Sequence, residues 1–116
     1  MKTKFYFLLS AVLLLAPLSA ALTHREKQCE NQDVIVWKTI IEPNQPLVMH
    51  RHDHRRVVVA LTDVDLLVKN DRGQSHRLIM KRGTARILLP DRPKELHCDI
   101  NQSHHPMEVM VIEFKK

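Results

Sequence analysis

After residue 33 the chain is a succession of short β-branched and aliphatic runs, and none of them carries a long helical stripe. The runs cover 33–41, 47–52, 56–62, 64–69, 76–81, 85–89, 95–100 and 107–114. Runs of this length, each closed by turn-forming residues, predict an all-β sandwich or barrel. The punctuation agrees: Pro43-Asn44-Gln45-Pro46, Asn70-Asp71-Arg72-Gly73 and Pro90-Asp91-Arg92-Pro93 combine fixed φ with residues that tolerate positive φ. Asn70 to Gly73 is the strongest hairpin signal. No repeat, low-complexity tract or linker interrupts residues 33–116, which read as one domain.

Within it, Val57-Val58-Val59-Ala60-Leu61 is apolar on both faces, so something covers its second face. The polar N-terminal arm, residues 22–32, is one candidate, and a second copy of the chain is the other. The second would make the protein a homodimer.

The first residues bear on the compartment. Lys2 and Lys4 precede an apolar run from Phe5 to Ala16, followed by Pro17 and small residues, which is the layout of a secretory signal. A membrane-spanning helix needs about 20 predominantly apolar residues, and Pro17 and Ser19 interrupt this run sooner. Ser19 and Ala21 suit a cut that leaves Leu22 as the mature N-terminus, so residues 1–21 are expected to be a signal peptide. The mature chain is then exported, to the periplasm or outside the cell, without a membrane anchor. Loss of Lys2 and Lys4 lowers the formal net charge from +5 to +3. So mild an excess gives only weak attraction to polyanions, and nucleic-acid binding is not indicated. With two glycines in all, a glycine-rich nucleotide loop is excluded.

Cys29 and Cys98 both survive such a cut, and an oxidising compartment permits a disulfide between them. In the chain-entropy description a loop that long contributes roughly 4 kcal/mol if unstrained. Two free thiols, or one cysteine bound to a metal, are the competing readings. Cys98 adjoins His97 and faces away from it under strand alternation, which argues against a Cys-His metal pair.

Eight histidines in 116 residues are the compositional anomaly, and they point towards metal or proton chemistry. Three alternate with polar residues in Met49-His50-Arg51-His52-Asp53-His54. In a strand, residues two apart share a face, so His50, His52 and also His54 can point the same way. Two imidazoles on one face make half of a metal site. His97, in the run 95–100, is the natural third. The plainer reading is a polar cavity whose histidines bond to backbone and water. His54 is a fourth ligand or a pocket-mouth residue. His104 and His105 sit in a polar turn and read as surface imidazoles, and Trp37 reads as core.

These residues give the chain a specific resemblance to the cupin superfamily. That family's first motif is a glycine, five residues, His-x-His, three or four residues, a glutamate, six residues and a glycine. Here Asn44 stands at the first glycine, His50 and His52 match the pair, Arg56 stands at the glutamate and Asp63 at the closing glycine. The second motif runs from a glycine through a proline to a histidine and, four residues later, an asparagine, an order followed by Gly83, Pro90, His97 and Asn101. The resemblance spans Asn44 to Asn101 and implies a cupin-type double-stranded β-helix, a small β-barrel or jelly roll.

It also implies His50, His52 and His97 as ligands of a divalent ion such as zinc, iron, manganese or nickel. The family's acidic ligand does not carry over, because Arg56 occupies its place. Three neutral histidines can still hold zinc with a fourth position open. Arg56 either clamps a carboxylate, sulfate or phosphate in the pocket or turns outward into solvent. Three functions follow: an exported cupin whose pocket binds a metal ion or small anion, a metal-dependent oxygenase, isomerase or hydrolase acting on a small oxygen-rich molecule, and a non-catalytic dimeric interaction protein.

Overall fold

The computed structural model describes residues 2–4 and 21–116. The secretory-signal expectation therefore falls almost wholly outside the described residues. Eight strands follow in order: β1 (His24–Glu30), β2 (Val34–Ile41), β3 (Arg56–Ala60), β4 (Val64–Asn70), β5 (Ser75–Met80), β6 (Ala85–Leu88), β7 (His97–Asn101) and β8 (Met107–Phe114). There is no helix among the described residues. The strands form a five-stranded sheet, ordered β1-β2-β8-β3-β6, and a three-stranded sheet, ordered β5-β4-β7, with every pairing antiparallel.

Alternation along the strands builds the core. Val58 and Ala60 of β3, Val64 and Leu66 of β4, and Met107, Val109 and Val111 of β8 are buried between the sheets with Ile41 and Met80. Full burial of one such aliphatic side chain contributes roughly 1.5–3 kcal/mol, so the inward rows carry most of the stabilisation. Trp37 packs partly buried against this cluster, as its composition context suggested. The Asn70–Gly73 hairpin forms where expected: Gly73 takes φ +79° and the Asn70 side-chain oxygen accepts from the amides of Arg72 and Gln74.

Both motif ends prove to be structural. Asn44, at the position where the motif has glycine, adopts φ +57°, a conformation asparagine tolerates better than most residues. Asn101 is fully buried and ties three segments together. Its amide donates to the carbonyls of Ile41 (2.9 Å) and His105 (2.7 Å), and its oxygen accepts from Ser103.

Three expectations are corrected. The arm, residues 22–32, contains strand β1, which pairs with β2 at the sheet edge, with β2 and β8 between it and β3, and so does not cover Val57 and Val59. Its polar sequence HREKQCE is held by backbone pairing, not by burial. Second, residues 47–52 are not a strand: only an isolated bridge joins His50 to His97, with reciprocal backbone bonds of 2.9 and 2.8 Å. Third, Cys29 and Cys98 are free thiols. Cys29 lies opposite Val36 on the outermost strand of one sheet, and Cys98 opposite Lys69 in the other.

Candidate functional site

The bridge between residues 47–52 and β7 brings the two halves of the histidine set together. Ring centroids of His50 and His97 lie 4.4 Å apart, those of His50 and His52 4.9 Å, and those of His52 and His97 5.5 Å. One ligand-capable atom from each lies within 4.8 Å of the others. His97 is buried and the other two are half-buried. They face a cavity of about 490 Å³ between the sheets, whose inner wall includes Val58, Leu66 and Val111.

The hydrogen bonds decide which nitrogens remain free. His50 Nδ1 donates to the carbonyl of Val48 (2.7 Å) and His52 Nδ1 to Glu113 Oε1 (2.9 Å), while His97 Nδ1 lies 3.2 Å from Asp91 Oδ2 without a hydrogen bond. Each acceptor is a carbonyl or a carboxylate, which cannot donate, so in His50 and His52 Nδ1 carries a proton and Nε2 is the nitrogen left for a further partner. Imidazoles that ligate a metal are commonly fixed in this way, with the second nitrogen bonded to a carboxylate or backbone carbonyl. His50 Nε2 lies 3.7 Å from Asp99 Oδ2, so a lone pair faces a carboxylate.

The carboxylates come from three elements. Asp91, in the Pro90–Pro93 turn, also accepts from the His52 amide (2.6 Å) and lies 3.9 Å from Arg56 Nη2. Asp99 shares the inward face of β7 with His97 and Asn101. Glu113 lies opposite Arg56 in the β3–β8 ladder and also meets Arg25 Nη2 at 3.4 Å, while Arg25 stacks over Trp37 at 4.3 Å.

Arg56 is 7% exposed, lines the cavity and donates to the Leu89 carbonyl (3.1 Å). Burial lowers its pKa, countered in part by Asp91, Asp99 and Glu113. Burial likewise pushes His97 below its ordinary value, against the opposing pull of Asp99 and Asp91 and with a contribution from His50 and His52. The bond from His52 holds Glu113 below the usual carboxylate range.

Of the residues singled out from sequence, His50, His52 and His97 converge and Arg56 turns inward to the same cavity. His54 does not join them. It is exposed and lines an adjoining, smaller cavity of about 150 Å³ with Arg51 and Asp53, whose wall also includes His52 and Glu113. His104 and His105 are exposed in their turn. Asp91, Asp99 and Glu113 were missed. The signal for two of them was present: with Met107, Val109 and Val111 inward on β8, residue 113 is inward too, and Asp99 follows His97 by two on β7.

No family model and no curated protein matches the sequence. Solved structures do. A cupin domain from Bordetella pertussis Tohama I is 26% identical with a TM-score of 0.72, the match covering 82% of this chain and 95% of that one. An uncharacterised conserved protein with a double-stranded β-helix domain from Klebsiella pneumoniae is 22% identical with a TM-score of 0.60, over 82% of this chain and 79% of the other. A cupin family protein from Methanocaldococcus jannaschii, 11% identical, gives a TM-score of 0.61 over 84% of both chains. The chain is a cupin, with the double-stranded β-helix fold of that superfamily and a histidine cluster compatible with metal binding.

Proposed function

We propose that this cupin is an exported metal-binding protein whose His50, His52 and His97 hold one divalent ion through Nε2 and whose cavity admits a small anionic molecule. The observation that carries the reading is the convergence of the three imidazoles, one ligand atom of each within 4.8 Å of the others, with Nδ1 of His50 and His52 already engaged by Val48 and Glu113. The donor chemistry fits a borderline ion such as zinc, iron, manganese or nickel. Such an ion supplies Lewis acidity and coordination positions for a further ligand.

The chain's own residues do the rest. Glu113 holds the His52 ring, Asp91 holds the His52 backbone beside His97, and Val58, Leu66 and Val111 make the inner wall apolar. Arg56, held by Leu89 and Asp91, places a second positive charge in the cavity, which favours an anion. Elemental analysis of tag-free protein purified without chelators tests the reading. About one divalent ion per chain is expected, and a content far below one that added ions do not restore overturns it. Lys2, Lys4 and the apolar run support export, for which an N-terminus at Leu22 in the mature protein is the expected result.

Two further readings have an observation each. Three protein donors leave coordination positions open towards the cavity, which favours a metal-dependent oxygenase, isomerase or hydrolase. A homodimeric interaction protein is favoured by the outer face of the five-stranded sheet. Cys29, Val36, Ile112, Val57 and Ile87 form one uncharged, mainly apolar row across all five strands, and Ile87 is 68% exposed.

A further inference from the structure

We infer that Glu113 is a positioning residue of the histidine site: it sets the His52 ring so that Nε2, not Nδ1, faces the cavity, and thereby governs how tightly the site takes a divalent ion. The inference rests on the metal-binding reading and names a residue outside the three ligands.

Glu113 stands near the end of β8, at the inward register position that continues Met107, Val109 and Val111. Its Oε1 accepts from His52 Nδ1 at 2.9 Å and from Arg25 at 3.4 Å. Glu113 is not part of the three-residue cluster whose ligand atoms lie within 4.8 Å of one another, so it acts through His52 and not on an ion directly.

The three rings are not anchored alike. His50 and His97 are held to each other by the two backbone bonds of the bridge, and His97 is also on a strand. His52 lies two residues beyond the bridge, where the only backbone bonds are those exchanged with Asp91. Its ring has a single side-chain anchor, Glu113. Asp91 bonds the His52 backbone amide and makes no bond to the His52 ring. Arg25, stacked on Trp37, braces the far side of Glu113. The chain of contacts Trp37, Arg25, Glu113, His52 therefore links strand β2 to the imidazole whose backbone lies outside both the bridge and the strands. Losing such an outer partner typically weakens metal affinity 10- to 100-fold.

The test uses the mature chain and two measurements: zinc affinity by competition with a chromophoric chelator, and the His52 tautomer in metal-free protein by long-range nitrogen–proton NMR correlation. Wild type is expected to show His52 protonated at Nδ1. Glu113→Ala should lower zinc affinity 10- to 100-fold and let His52 populate both tautomers. Glu113→Gln keeps an acceptor, and should retain the tautomer while weakening zinc less. Glu108→Gln, on the same strand but paired with Lys38 on the outer face, should change neither.

A folded Glu113→Ala with unchanged affinity and tautomer overturns the inference. So does a wild-type His52 protonated at Nε2, a result that needs no variant to fold. Failure of wild type to bind zinc sinks the metal reading instead, and the tautomer measurement still judges Glu113.

Discussion

Arg56 and Glu113 are direct partners across the β3–β8 ladder, and both turn into the barrel beside the histidines. Arg56→Glu would place two carboxylates opposite each other. Without metal, like charges there should destabilise the fold. A bound divalent ion should offset that repulsion. The expected outcome is a lower Tm than wild type in chelator, a larger rise in Tm on adding zinc, and tighter zinc binding by calorimetry. Unchanged zinc affinity in a folded variant means that Arg56 does not sense the site.

Stability should fall with pH through the histidine range in metal-free protein. His97 is depressed by burial below its ordinary value of 6.5, so from about that pH downward the unfolded chain binds more protons than the folded one and stability drops. Glu113, depressed from 4.5 by its bond from His52, adds a second loss of the same sign below that value. Exposed His24, raised by the Leu22 carbonyl and Glu26, contributes with the opposite sign. Urea unfolding between pH 8 and 5 checks this: wild type weakens as pH falls, and His97→Gln should flatten the curve. A wild-type profile flat over that range would contradict it.

Most of the fold was legible because burial and alternation coincide. The runs that became β2 to β8 are those whose inward residues pack the core, as with Val64, Leu66 and Val68 of β4. The two strand assignments that failed did so for different reasons. Strand β1 buries almost nothing, so its polar sequence gives no alternation to read, and only the backbone of β2 makes it a strand. Residues 47–52 alternate, but their alternation serves the cavity instead of a ladder. In the site, His50, His52 and His97 were legible from type and spacing. Asp91 was not, because a turn residue's direction depends on what it docks against, here the His52 backbone.

The outer row through Val57 and Ile112 gives a prediction about association. Sedimentation at high micromolar concentration should find wild type dimeric and a folded Ile112→Lys monomeric, since a charge at the centre of the row leaves an ammonium without a partner in an apolar interface. A strictly monomeric wild type would remove the dimer reading.

Cys29 and Cys98 sit in different sheets as free thiols, so protein denatured under non-reducing conditions should titrate two thiols per chain. None would mean that the strands carrying them come together in a way this fold does not provide.

The central claim is that three convergent imidazoles, two of them fixed through Nδ1, hold one divalent ion. Its most direct measurement is titration of metal-free, tag-free protein with zinc, comparing wild type with His97→Gln, which removes the buried ligand. The account predicts one zinc per chain in wild type and a loss of affinity of at least 100-fold in a folded His97→Gln. Equal affinity in the two proteins, or no zinc bound by wild type, would contradict it.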